Sequence, residues 1–218
     1  MPASKMIFTR KALTSVLPTA SNLVRWNRSK DPLCHRCSAG VPQTNKHVLS
    51  NCSSDVALKR YTKRHDDILL IIVAWLKSML PSGYKLFADL TSTDCLPVCD
   101  IFTNVRPDIA ICFSDNVVVL ELTVCHETNL SKSRNYKLNK YINISQSCTA
   151  QIAHSKVALF TLEVSTLGFI ADISAFLKAY NLSKLPTNIK TQVTKAAISN
   201  SYSIYCNRNN SDAIMNNI

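Results

Sequence analysis

Four residues in the first quarter of the chain have the types and spacing of a metal site: Cys34, Cys37, His47 and Cys52 read C-x2-C-x9-H-x4-C. Three thiolates and one imidazole in two close pairs can converge on one tetrahedral ion, for which zinc is the expected metal. Gly40 and Pro42 fall in the intervening loop, where the chain must fold back. Four protein ligands leave no position for a reacting water, so the expected site is structural and His35 is surplus to it. Two roles remain for such a knuckle: positioning nucleic acid, or stapling the preceding segment to the main domain.

A second constellation is acidic. Arg106, Pro107 and Asp108 open one β-rich segment, and Glu121 lies in the next. With Asp115 and Asn116 as turn residues, Ser114 pairs with Val117, Ala110 with Glu121 and Asp108 with Thr123, which leaves both carboxylates on one face. Neighbouring carboxylates repel and raise each other's pKa, and they persist where a divalent cation needs oxygen ligands; Mg2+ (or Mn2+) is the natural guest. Glu121 is one of only three glutamates and stands in a run that is otherwise apolar apart from Thr123. Hydrolysis of a phosphodiester also needs a cation to offset charge on the phosphorane. Lys137 and Lys140, three apart with Tyr141 beside them, share one face of the following helical segment, and either could reach over the strands.

The elements that must hold these groups follow from periodicity and breakers. The pattern predicts a short helix over 11–17 stopped by Pro18, then a basic connector over 22–30 carrying Trp26. From Ser53, a good N-cap, a helix runs to about Leu80 with a basic first half and an apolar second half. Extended segments follow at 85–90, 107–113 and 117–124, then a helix over 131–147, a strand over 156–164, a helix over 172–180 and a last helix opened by Pro186. This order predicts an α/β fold: a central mixed sheet flanked by helices, preceded by a zinc knuckle. The expected division is a linker over 1–30, the knuckle over 31–56, the main domain over 57–206 and a flexible tail over 207–218. With three glycines in the whole chain, a glycine-rich nucleotide loop is excluded.

The 25 lysines and arginines against 14 acidic residues give a net charge of +11, which draws the protein to polyanions. The excess gathers in two blocks, Lys59, Arg60, Lys63, Arg64 and Lys132, Arg134, Lys137, Lys140, which favours DNA or RNA as partner. Nine cysteines cannot all pair, and the six outside the knuckle read as small buried hydrophobes. The longest apolar run, Ile68 to Leu76, falls well short of the roughly 20 residues needed to cross a bilayer. A soluble intracellular protein with no membrane partner is expected.

Taken in order, these pieces resemble the restriction-like endonuclease domain of site-specific non-LTR retrotransposon proteins, which is associated there with a reverse transcriptase. The resemblance rests on Leu17-Pro18-Thr19-Ala20 with Trp26, the Cys34, Cys37, His47, Cys52 knuckle, Arg60-Tyr61, Arg64-His65-Asp66, Arg106-Pro107-Asp108, Glu121-Leu122-Thr123-Val124, Lys137 with Lys140-Tyr141, and Glu163-Val164 before Gly168-Phe169. It implies a PD-(D/E)XK nuclease core, a Mg2+-dependent endodeoxyribonuclease that nicks DNA, a structural Zn2+ and a nuclear location. Asp108 and Glu121 would be the metal-binding acids. Thr123 occupies the position where the usual arrangement has a lysine; the family takes its lysine from the next helix, so Lys137 is the first choice for the catalytic cation and Lys140 the second. Arg60, Lys63, Arg64, His65, Arg106, Lys132, Arg134 and Tyr141 are the expected nucleic-acid contacts. The alternative is a binding module of the same fold that has lost its chemistry.

Overall fold

The computed structural model describes residues 1–91, 93–180 and 184–209; the tail expected over 207–218 lies outside the described residues from 210 onward. Six α-helices and four strands are described: α1 Ala3–Leu13, α2 Ala20–Arg25, α3 Asp55–Met79, β1 Lys85–Ala88, β2 Ile109–Phe113, β3 Asn116–Cys125, α4 Leu130–Lys140, β4 Lys156–Ser165, α5 Ser174–Ala179 and α6 Thr187–Cys206. The strands form one mixed sheet in the order β1-β2-β3-β4, with the first two pairings antiparallel and β3–β4 parallel. A parallel pair needs a crossover, and α4 lies in it. The fold is therefore mixed α/β, with helices on both faces of a four-stranded sheet.

The two faces explain the composition of β3. On one face, Ile109, Ile111, Leu120, Leu122, Leu162 and Val164 pack with Ile68, Leu69, Ile72 and Leu76 of α3 and with Val193 and Ala197 of α6. On the other, Ala110, Val117 and Val119 pack with Phe102, Tyr141 and Ile144. A strand covered twice reads as a continuous apolar run, so each polar residue in it requires a reason. The N-cap of α3 is Ser54, one residue later than the expected Ser53, its hydroxyl accepting from the Ala57 N–H at 3.4 Å.

The β2–β3 turn differs from its expected register. Phe113 pairs with Asn116, so Ser114 and Asp115 form the turn, and Ser114 takes a left-handed φ of +47°. Phe113 is held in the strand by stacking on Tyr84, with ring centroids 4.3 Å apart. The slip is even, so every side chain keeps its expected face. It has one consequence for the site: the step beyond the Ile109–Leu120 pair sets Asp108 alongside Glu121, not Thr123.

Of residues 1–30, expected to be a linker, the part up to Leu17 packs against the rest of the chain, while no residue of 20–30 is buried. Phe8, Ala12 and Leu17 join Val48, Leu49 and Ile204 in a small core, with the Phe8 ring against Tyr202 and Tyr205. In place of the helix expected over 11–17 with its stop at Pro18, the structure has α1 over Ala3–Leu13, which ends well before that proline. Its stop is Ser15 at φ +56°, where the Val16 N–H returns to the Lys11 carbonyl at 2.8 Å and the Ser15 N–H to Ala12 at 3.0 Å. The expected connector over 22–30 begins inside α2, which Asn27 at φ +58° ends with the same bond pattern. Among the described residues no helix is long and apolar enough to cross a membrane.

Candidate functional site

The Cys34, Cys37, His47 and Cys52 ligand atoms all lie within 4.8 Å of one another, with Cys37 Sγ and His47 Nε2 3.5 Å apart. A tetrahedral zinc with bonds of about 2.0–2.3 Å separates its ligands by roughly 3.5–3.8 Å, so this buried cluster could hold zinc. The loop closes as its sequence requires. Cys34 donates to the Val41 carbonyl at 3.0 Å, Gln43 to Pro32 at 2.8 Å, and Gly40 turns the chain at φ +59° with open space around it. Burial holds the His47 imidazole below its usual pKa, in the neutral form that binds metal.

His47 opens a single π-helical turn, His47–Asn51, that α3 grips from outside. The Tyr61 hydroxyl donates to the Val48 carbonyl at 2.8 Å and accepts from the Cys52 N–H at 3.2 Å. One turn on, Arg64 donates to the Leu49 carbonyl at 2.8 Å and to Ser201 Oγ at 3.0 Å, and Ser201 donates to the Thr166 carbonyl. Arg64 is 1% exposed, so the expectation that it contacts nucleic acid is corrected: its guanidinium ties the metal loop to α6 and the end of β4. Burial lowers its pKa to about 10.

The acidic pair is a closed unit. The Asp108 N–H donates to Glu121 Oε1 at 3.0 Å, and the Leu122 N–H donates to Asp108 Oδ2 at 2.8 Å. Glu121 is fully buried and Asp108 nearly so. Lys137 reaches both from α4, with Nζ 2.5 Å from Glu121 Oε2 and 3.8 Å from Asp108 Oδ2. From α3, His65 Nε2 lies 3.4 Å from Asp108 Oδ1 while its Nδ1 faces Asp66 at 3.1 Å. Burial and then the Asp108 charge push Glu121 up, against the pull of Lys137. Burial would also raise Asp108, but His65 and Lys137 outweigh it and hold it below its usual value. Burial alone would lower His65; Asp108 and then Asp66 carry it to about 9. Lys137, despite burial, is held above its usual value by the two acids.

Lys140 does not join this unit. Its Nζ donates to the Tyr141 hydroxyl at 3.2 Å and lies 4.7 Å from the ring centroid, and the Tyr141 hydroxyl donates to the Arg106 carbonyl at 3.1 Å. Tyr141 is buried, which leaves it a bracing part under the site rather than a surface contact. Of the other expected contacts, Arg106 pairs with Asp89, Lys63 with Asp67 at 2.8 Å, and Arg60 donates to the Asn207 carbonyl at 2.7 Å; Lys132 and Arg134 are exposed on α4.

Three polar groups lie beside the pair that sequence reasoning did not place there. In the parallel β3–β4 register Glu121 lies alongside Thr161, and Thr123 alongside Glu163. Thr123 Oγ1, Thr161 Oγ1 and Glu163 Oε1 are buried without a hydrogen-bond partner. The available signal was the alternation of β4, in which Thr161, Glu163 and Ser165 interleave with Leu162 and Val164. These oxygen groups share the sheet face of Glu121, as does the Cys125 thiol two residues beyond Thr123 on the same strand. No family model and no curated protein matches this chain. What the coordinates define is a mixed α/β domain carrying a Cys3His cluster and, on its sheet, a carboxylate pair capped by lysine.

Proposed function

We propose that this chain is a Mg2+-dependent DNA endonuclease domain of the restriction-like, PD-(D/E)XK type, related to the non-LTR retrotransposon nucleases it resembles. One observation carries the reading: Asp108 and Glu121 stand side by side on a doubly covered sheet, with Lys137 over both. Asp108 and Glu121 would hold the ion, which when bound supplies a more acidic water and a counter-charge for the phosphodiester. The chain's own groups do the rest. His65 and the Leu122 N–H fix the two Asp108 oxygens, so the carboxylate would present them to an ion in one orientation. The Lys137 ammonium can hold the attacking water by hydrogen bond and offset charge on the phosphorane. The knuckle, clamped by Tyr61 and Arg64, supports α3 and with it His65.

Plasmid nicking with and without Mg2+ tests this. The wild-type chain should nick only with the metal, and Asp108→Ala should lose nicking by at least 100-fold while its zinc content and DNA affinity stay unchanged; unaltered nicking by that variant rejects the assignment. A second reading, a nucleic-acid-binding module without chemistry, is favoured by one observation. Each of the four carboxylate oxygens already faces a protein donor, as in a structural ion pair. It predicts salt-sensitive DNA binding and no metal-dependent product.

A further inference from the structure

We propose that Glu163, with Thr123 and Thr161, forms a second hard-cation position next to Glu121. The assignment rests on the reading of Asp108 and Glu121 as an ion-holding pair, and it adds ligands that this reading does not use. Glu163 is 1% exposed, its Oε1 has no hydrogen-bond partner, and none of the ion pairs among the described residues includes it. A buried carboxylate costs several kcal/mol unless something compensates it, so a group left this way in the middle of a sheet indicates a missing partner.

The partner's chemistry follows from what surrounds the carboxylate. Thr161, 4% exposed, and Thr123 each bring a hydroxyl whose hydrogen-bonding capacity is also unused. The register sets the four side chains at the corners of a rectangle, Glu121 beside Thr161 and Thr123 beside Glu163. Its sides are about 4.8 Å across the strands and roughly 6.6 Å along them. All four project to the face that α4 covers, because Leu162, Val164, Leu120 and Leu122 occupy the other. An ion near the centre of that rectangle would meet two carboxylates and two hydroxyls, an all-oxygen set that suits Mg2+ or Mn2+. Water could satisfy the hydroxyls but would not offset the charge on Glu163. A cation here would stand beside the Asp108–Glu121 position and share Glu121 with it, the arrangement used when two ions clamp a displacement at phosphorus.

Mn2+ binding to the zinc-loaded full chain, followed by electron paramagnetic resonance, separates this proposal from the reading beneath it. The wild-type chain should bind two Mn2+ ions. Glu163→Gln should weaken one of them by at least tenfold, and Thr161→Val by several-fold, with zinc content and circular dichroism unchanged. Asp108→Asn should weaken the other ion and leave the Glu163 position occupied. If Asp108→Asn loses Mn2+ while Glu163→Gln binds like wild type, the second position is overturned and the nuclease reading stands. If the wild-type chain binds no Mn2+, both fall. Should Glu163→Gln fail to fold, Thr161→Val decides: two ions at wild-type affinity would overturn the proposal.

Discussion

Lys137 brings one positive charge to two buried carboxylates, so its loss strands Glu121 without a counter-ion. Lys137→Met should therefore destabilise the fold by about 3 kcal/mol in urea unfolding, whereas Lys140→Met, which gives up contacts to Tyr141 only, should cost under about 1 kcal/mol. Adding Glu121→Gln to Lys137→Met should recover much of the loss, because the stranded charge goes with it. His65 adds a pH signature. Its folded pKa of about 9 lies above the usual 6.5, so its contribution is fully present below pH 6.5 and disappears as pH rises through about 9. With a quarter of the side chain open to water, that contribution is on the order of 2 kcal/mol. Asp108, held low, works in the other direction: its contribution is present above the usual carboxylate range and is lost on acidification. Glu121, held high, opposes folding above its unfolded pKa and so softens the acid limb. Melting temperature measured against pH should fall between pH 6.5 and 9, and His65→Gln should remove that alkaline fall.

The elements repeat this dependence on a few polar contacts. Tyr61 closes three backbone groups of the metal loop with one hydroxyl, so Tyr61→Phe should cost about 1–3 kcal/mol. Removal of metal by a chelator should raise amide exchange first over residues 34–52 while the α3–sheet core keeps its protection, since Ile68 to Leu76 pack on strands and not on the knuckle. How much of this was legible follows from the kind of signal each element carries. Helix α3 and strands β3 and β4 are long and periodic, and their sequence bounds lie within two residues of those observed. The knuckle is read from spacing alone because ligand chemistry leaves few alternatives. Helix α1 is not legible at its true bounds because its stop is a left-handed serine, a residue type with no strong sequence signature, while Pro18 downstream is a louder one. The hairpin pairing differs by two residues from its expected register because Asp115-Asn116 is the more turn-like dipeptide and the chain turns at Ser114-Asp115 instead. The acidic pair survived the error because side chains alternate with a period of two. That Glu163 lies beside Thr123 is not legible in the sequence, since only the β3–β4 register, a contact across forty residues, sets it there.

At the scale of the whole molecule the count of 25 lysines and arginines overstates the cations that a nucleic acid could use. Arg64 is enclosed, Lys137 is committed to the acids, and Lys63, Lys77 and Arg106 each pair with an aspartate. Every phosphate that the protein neutralises on duplex DNA adds about 0.9 to the slope of log affinity against log salt, so the slope counts the cations that remain available. Geometry limits them further. Arg134 lies three residues before Lys137, almost one helical turn, while Lys132 stands two residues before Arg134 and about 200° around the helix. If DNA binds as proposed, a duplex seated over Lys137 would meet Arg134 and miss Lys132. Arg134→Ala should therefore lower the slope by about 1, and Lys132→Ala should leave it within error, as measured by fluorescence anisotropy across a salt series with the Asp108→Ala protein to prevent cleavage. The opposite result, with Lys132 lowering the slope and Arg134 silent, would put the duplex on the far side of α4, where its phosphates could not reach an ion held by Asp108 and Glu121.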